Sequence, residues 1–486
     1  MGVRELMDSI KRFSKEALIY GIGGILNKGL SFLMIPIYTR IFSVGEYGAI
    51  EILNLNAAFV SIIISLGMDA TLSMYFYKFD ESDRGERKCF VSSILQLRLI
   101  WGFFVAILST LLVPIIFGLI SNGDLNFEIY GILFLGVLIN QIVSIASDIM
   151  RLTHKPGKFL LVSLMSSIVC AALTIFFCLA MNYGVFGYFL ALAMSGTLIA
   201  IYSIHLIKNY LSFSRIYSEY WVKIIKFGVP FMPAAITMYL MNSTDRWFLE
   251  IYKGVESVGI YAIGLKFAYI LSLLVEGVRQ AWWPVAMELV QKDDNKKIFR
   301  NAAEIYLGSA AIGVILLTYC SPKLIDILVS EQYRESWRIV GLLAWQPVLY
   351  GFFSIICIGI WKSEKSYINA IIMGMSALVC VMCNWLLVKS YGYVGSAIST
   401  IIAYLFWITV SLYISESLWR VGYKLKIMLM QITLALGYTS WFVFVELGNM
   451  NIVNAIVGLI IILIILSMII VDKEKINING FKKYIF

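Results

Sequence analysis

Apolar residues run along this chain in stretches about one bilayer long, broken only by short polar connections. A hydrocarbon core of about 30 Å takes roughly 20 residues of helix to cross. Fourteen stretches reach that length, at 16–41, 46–70, 90–118, 127–150, 159–181, 184–208, 222–245, 258–282, 301–320, 338–361, 368–388, 394–416, 427–446 and 450–471. The runs are continuous rather than alternating, which excludes the strands of a membrane barrel. The longest connections, 71–89, 283–300 and 321–337, leave no room for a separate soluble domain. The pattern predicts an all-α polytopic membrane protein of about 14 transmembrane helices. Composition agrees: 60% of residues are hydrophobic and 14% charged, too few charges to cover a soluble body of this size.

Charge supplies the orientation. Lys and Arg in short loops mark the cytoplasmic side. The N-terminus, the even-to-odd loops and the tail hold 28 of them, and the opposite loops hold seven: Arg40, Arg246, Lys253, Lys323, Arg334, Arg338 and Lys389. Both termini are therefore expected in the cytoplasm, with the chain in the cytoplasmic (inner) membrane. The net charge of +9 is mostly topology. The basic residues are scattered over many loops, so no nucleic-acid partner is expected. The first apolar stretch is too long for a signal-peptide core and lacks a small-residue cleavage site; it reads as an uncleaved signal-anchor. Cys380-x-x-Cys383 has redox or metal spacing. It sits inside an apolar span with no second pair, so it reads as small apolar filler, and neither metal nor cofactor is expected.

The chain repeats itself. Tyr183-Gly184-x-x-Gly187 begins span six, and Tyr391-Gly392-x-x-Gly395 begins span twelve. Met165-Ser-Ser-Ile-Val-Cys170 resembles Met375-Ser-Ala-Leu-Val-Cys380 in the spans just before. Six spans per repeat preserve orientation, so the halves form two parallel six-helix repeats, at 1–208 and 209–416. The segment 417–486 adds two C-terminal helices and a tail. Transporters built from parallel repeats hold substrate between the halves.

Local motifs then point to a family. They are Ile35-Pro-Ile-Tyr-Thr-Arg40 followed by Gly45-Glu-Tyr-Gly48, Lys226-Phe-Gly-Val-Pro230, Asp245-Arg246 followed by Val258-Gly-Ile-Tyr261, and the two Tyr-Gly-x-x-Gly motifs. Together with the repeat they resemble the polysaccharide branch of the multidrug/oligosaccharidyl-lipid/polysaccharide exporter superfamily. The resemblance covers essentially the whole chain and is weakest in the last two spans. It implies a flippase that carries undecaprenyl-diphosphate-linked oligosaccharide across the membrane by alternating access; with no nucleotide motif in the chain, an uphill step would draw on an H⁺ or Na⁺ gradient or on downstream consumption of the flipped lipid. It also implies glycosyltransferases and a polysaccharide polymerase as partners, beside the lipid-linked oligosaccharide and membrane lipid. A multidrug antiporter of the same superfamily and a peptidoglycan-precursor flippase are the alternatives. No nucleotide, metal or nucleophile–base motif is present, so an enzyme is not expected.

Four basic residues remain inside spans: Lys28, Arg98, Lys266 and Arg279. Each costs roughly 2.5–3.5 kcal/mol at a helix centre. A watery path lined for a lipid diphosphate would account for that cost, and the four are the candidate substrate-binding residues. The competing reading is that each is paired or snorkels; Glu276 and Arg279, at i and i+3, could simply pair. Asp69 and Glu276 lie toward the cytoplasmic ends of the second helix of each half and are the candidate ion-coupling residues. Asp148 reads as a partner of Arg151, and Asp245-Arg246 as a cap closing helix seven. Helices one and seven carry Gly21, Gly23, Gly24, Pro36 and Gly228, Pro230, Pro233, which reads as interruption near a moving site or as close packing.

The charge count makes a direct prediction. Single cysteines in 71–89, 209–221 and 283–300 should resist an impermeant maleimide added to intact cells. Those in 119–126 and 321–337 should react, and outside labelling within 283–300 would overturn the orientation.

Overall fold

The computed structural model describes residues 23–24, 26–78, 84–121, 126–212, 214–290, 295–365, 367–444 and 452–471. Both termini, Gly21 and parts of the loops 71–89, 119–126 and 283–300 lie outside the described residues. The chain forms two compact units, Met1–Tyr239 and Leu240–Phe486.

In the first unit, residues 26–33 are helical, followed by α1 (Ile35–Ile41), α2 (Val44–Ser65), α3 (Met68–Tyr75), α4 (Arg84–Ser121), α5 (Phe127–Leu152), α6 (Pro156–Ile175), α7 (Gly184–Ile207) and α8 (Trp221–Gly228). Helix α9 (Met232–Lys253) begins there. The second unit continues with α10 (Val255–Ala268), α11 (Ile270–Leu289), α12 (Lys296–Leu328), α13 (Trp337–Leu343), α14 (Trp345–Ile356), α15 (Ile358–Lys362), α16 (Tyr367–Leu418), α17 (Leu425–Phe444) and α18 (Ile452–Val471). Strands are absent among the described residues.

Among these residues eleven helices are long and apolar enough to cross a bilayer, or twelve if the bent pair α10–α11 is one span. Two stretches read separately in the sequence, 368–388 and 394–416, fall in the single 52-residue α16. At 1.5 Å per residue α16 would be about 78 Å long, far more than a bilayer. Gly392, at φ 55° and ψ −134°, divides it into two helices of crossing length. The stretch 16–41 is described only in its second half.

The repeated motif now has a physical basis. Gly184 and Gly392 both have positive φ, 51° and 55°, where a side chain would strain the backbone. Three residues on, an added Cβ at Gly187 would come within 2.9 Å of the Tyr183 Cβ, and one at Gly395 within 2.4 Å of the Leu387 carbonyl oxygen. The first glycine turns the chain and the second lets the new helix start against the old one. The Gly45-Glu46 motif is explained by a capping box. Ser43 Oγ accepts from the Glu46 N–H at 3.3 Å, and the Glu46 carboxylate accepts from the Ser43 N–H at 2.9 Å.

Several membrane helices are broken. Residues 26–33 lead into α1 through Met34, whose backbone stays helical (φ −76°, ψ −16°), and Pro36 at the start of α1 removes one donor from the ladder. A 3-10 turn, Val229–Phe231, containing Pro230, separates α8 from α9. Leu66 and Gly67, both in left-handed conformation at φ 46° and 67°, separate α2 from α3. Helices α10 and α11 meet at a 42° bend. In the first unit two of these breaks meet. A Cβ on Gly67 would lie 2.1 Å from the Gly228 carbonyl oxygen, and one on Gly228 would lie 2.5 Å from that of Leu66. The short helices α3 and α8 then run antiparallel away from the crossing, with Thr71 Oγ1 donating to the Ile224 carbonyl at 3.5 Å. Ile224 joins Met68, Leu72, Phe90, Ile94, Ile145 and their neighbours in the core at this end of the unit.

The two C-terminal helices are integral to the second unit. Helices α17 and α18 both pack on α12, and Lys424, just before α17, pairs with Glu304 of α12 at 3.5 Å.

The backbone crossing predicts a cost. Gly228→Ala should lower the unfolding midpoint of the purified chain in detergent by about 1–3 kcal/mol of overpacking. It should do so although alanine is the better helix former by about 1 kcal/mol. Gly374→Ala, with nothing within 4 Å of the added methyl, should leave the midpoint equal or higher. Equal midpoints for the two variants would contradict the contact.

Candidate functional site

In the first unit, Lys28 is exposed on the helix 26–33, which leads into α1 and Pro36. Its neighbour Asn27 fastens that helix to α6. The Asn27 amide donates to Ser163 Oγ, and Ser167 Oγ donates to Asn27 Oδ1 at 3.0 Å. The short polar side chains that let this stretch pack closely therefore also fix where Lys28 emerges.

Asp69 and Arg98 form one unit of charge. Asp69 lies in the first turn of α3, two residues after the Gly67 break. Arg98, on α4, is 1% exposed and donates to both carboxylate oxygens, at 2.8 and 3.2 Å. A bidentate pair of this kind is what permits a guanidinium to be buried in a membrane helix. Asp69 keeps a wet side, with 47% of its side chain exposed. Asp148 of α5 pairs with Arg151, and its carboxyl is near enough to Asp69 for the two charges to repel. The cluster therefore sets two carboxyls side by side, with Arg98 holding one and Arg151 the other.

In the second unit, Lys266 is half-buried one turn before the bend between α10 and α11. Glu276 and Arg279 follow on α11 and pair at 2.8 Å. The Arg279 guanidinium also lies over the Tyr350 ring of α14, 4.3 Å from its centroid, a cation–π contact that shields one face of the charge. Four of the six candidates are thus joined as Asp69–Arg98 and Glu276–Arg279.

The reading of Asp245-Arg246 as a helix-closing cap is corrected. Helix α9 continues to Lys253, and Asp245 is 3% exposed inside the unit. Its charge is tolerated there because the Tyr261 hydroxyl donates to one oxygen at 2.7 Å and the Arg246 N–H to the other at 2.8 Å. Next to it lies a polar core that sequence reasoning missed. Gln346 Nε2 and the Tyr404 hydroxyl both donate to Asn242 Oδ1, at 2.8 and 3.0 Å, and the Arg246 guanidinium donates to the Asn242 carbonyl. The only signal in the sequence is the spacing Asn242-x-x-Asp245, which places two polar groups on one face of an otherwise apolar helix. Among the described residues, no cluster of three or more His, Cys, Asp or Glu could hold a metal.

Comparison with known proteins bears on what these arrangements serve. The family described as polysaccharide biosynthesis protein matches residues 13–290. An Lsg locus protein of Haemophilus influenzae is 21% identical over 57% of this chain and 67% of its own length. Among solved structures, the lipid II flippase MurJ in an inward closed conformation superposes with a TM-score of 0.73 at 16% identity, covering 94% of this chain and all of that one. An inward-facing multidrug resistance transporter of the MATE family superposes at 0.63 and 15% identity, over 81% and 96% of the two chains. These identities are low enough that the structures speak for the fold alone. The chain is a multi-pass membrane protein of the polysaccharide biosynthesis protein family.

Proposed function

We propose that this protein flips undecaprenyl-diphosphate-linked oligosaccharide from the cytoplasmic to the outer leaflet of the cytoplasmic membrane, by alternating access. One observation supports this reading above the others. Each unit keeps a lysine inside a membrane helix within about two turns of an irregularity: Lys28 ahead of Pro36, which removes a backbone donor, and Lys266 ahead of the 42° bend. A broken helix exposes backbone groups that need water or a polar ligand. A cation beside such a break suits an anionic headgroup that has to leave the headgroup region. Lys28 and Lys266 are the proposed diphosphate contacts. Arg98 and Arg279, paired with Asp69 and Glu276, complete the proposed set.

A peptidoglycan-precursor flippase is the second reading, favoured by the fold match to MurJ over 94% of the chain. The matching family, which spans residues 13–290, is one of polysaccharide biosynthesis, which supports the oligosaccharide reading. A multidrug antiporter fits the MATE superposition, but intramembrane lysines repel cationic drugs.

Energy for resetting is assigned to an ion gradient. Asp69 and Asp148 are close enough to repel one another, which favours a proton or small cation beside them. Glu276, 43% exposed at its side chain, is the corresponding carboxylate of the second unit.

Lys28→Ala and Lys266→Ala should each cut flipping in proteoliposomes about tenfold, with protein still inserted, and Lys→Arg should retain more. Wild-type flipping by the double alanine variant would sink the lysine assignment. With an imposed H⁺ or Na⁺ gradient, Asp69→Asn or Glu276→Gln should flatten the gradient dependence more than it weakens substrate binding. Asp69→Asn also strips Arg98 of its counter-charge, so rates are to be read per inserted protein. Unchanged gradient dependence in both variants would reject these carboxylates, and gradient-independent wild-type flipping would reject ion coupling.

A further inference from the structure

Outside the candidate site, the first unit holds two lysines gathered on one aromatic ring. Lys78 follows α3 and Lys223 lies on α8. Their Nζ atoms are 4.6 Å and 4.4 Å from the centroid of the Tyr75 ring, so the two ammoniums stand within about 9 Å of each other. Both side chains are exposed. Neither makes an ion pair among the described residues. The Tyr75 hydroxyl likewise makes no hydrogen bond among the described residues. Glu86 accepts from the Tyr220 hydroxyl at 3.5 Å.

The fold creates this convergence. Because Gly67 and Gly228 touch backbone to backbone, α3 and α8 run side by side from the crossing, and their far ends bring Lys78 and Lys223 together. Tyr75 is locked between them by edge-on contact with Phe227 at 5.4 Å and tilted contact with Phe90 at 5.6 Å. A ring face contributes roughly 0.5–1 kcal/mol to an exposed cation. That does not neutralise two ammoniums that also repel one another. An anion would. A phosphate reached from two sides by N–H···O bonds of about 2.8 Å separates the two nitrogens by up to about 8 Å, within the span available here.

The surroundings say which phosphate. Met74 on α3 and Val222 and Ile225 on α8 are large apolar side chains, 48%, 76% and 40% exposed. They flank the lysines at the end of the unit that the charge count assigns to the cytoplasm. Exposed apolar surface ending in paired cations is the profile of a lipid lying against the protein, with acyl chains on the apolar side chains and headgroup on the lysines. We propose that Lys78, Lys223 and the Tyr75 hydroxyl form a binding site for the phosphate of an anionic lipid of the cytoplasmic leaflet. The site lies on the α3–α8 pair and is separate from Lys28 and Lys266. A bound lipid would hold together the two short helices that leave the Gly67–Gly228 crossing, and so would favour one arrangement of that broken region.

The test uses the full chain in detergent, titrated with phosphatidylglycerol, phosphatidylcholine or inorganic phosphate, with binding read from the shift in unfolding midpoint. Phosphatidylglycerol should stabilise the wild type more than phosphatidylcholine. The double variant Lys78→Ala/Lys223→Ala should bind it roughly 30-fold more weakly, the effect of two interfacial lysines. Lys78→Arg/Lys223→Arg should retain it, which separates the charge from folding. Tyr75→Phe should show a smaller loss. Lys155→Ala/Lys158→Ala, which removes the same charge from another loop on the same side, should leave binding unchanged. An equal loss in that control would reduce the effect to diffuse surface charge and overturn the proposal. Saturation by inorganic phosphate at the same concentration as the lipid would overturn the lipid assignment. A wild type indifferent to phosphatidylglycerol would also overturn it.

Discussion

A bilayer offers no partner to a broken backbone or a bare charge, and most of what is distinctive here follows from meeting that constraint. The chain interrupts its membrane helices at Leu66–Gly67, at Val229–Phe231 and between α10 and α11. In the first unit two of the breaks are laid on each other, Gly67 against Gly228, closer than any side chain would allow. The intramembrane charges are treated in the same economical way. Arg98 is buried only because Asp69 takes both of its terminal nitrogens, and Arg279 has Glu276 beside it and Tyr350 beneath it.

The fold was readable because its signals are long or local. Bilayer-length apolar runs gave the class. The pairing of Glu276 with Arg279 was readable as an i, i+3 spacing, and it forms. The Tyr-Gly-x-x-Gly repeat was visible as a motif, and its meaning, a positive-φ glycine followed by a close-packing one, appears only in three dimensions. The glycines Gly67 and Gly228 carry no such mark. Gly228 was noticed for its prolines nearby, while its partner is 161 residues away in sequence. The bend after Ala268 contains neither glycine nor proline at the break and left no trace.

The candidate site was readable in part. Charges inside apolar runs stand out one at a time, so Lys28, Arg98, Lys266, Arg279, Asp69 and Glu276 could be picked out singly. Their pairing could not, where it joins residues as distant as Asp69 and Arg98. The Asn242–Gln346–Tyr404 core is built from three separate helices. Neutral polar residues in a membrane span raise little alarm, because an amide or phenol costs much less to insert than a charge. Asp245 was misread for a related reason. A carboxylate near an expected helix end looks like a cap until the helix is seen to continue and Tyr261 to satisfy it.

The central claim is that the chain carries a lipid-linked oligosaccharide through its diphosphate. Its most direct test is reconstitution of the wild-type protein into proteoliposomes containing one labelled lipid at a time. The lipids are undecaprenyl-diphosphate oligosaccharide, the same oligosaccharide on undecaprenyl monophosphate, and a peptidoglycan precursor. Movement is read as accessibility to a membrane-impermeant reagent. The account predicts fast movement of the diphosphate-linked oligosaccharide and much slower movement of the monophosphate form. Equal rates for the two, or movement of the peptidoglycan precursor alone, would contradict it.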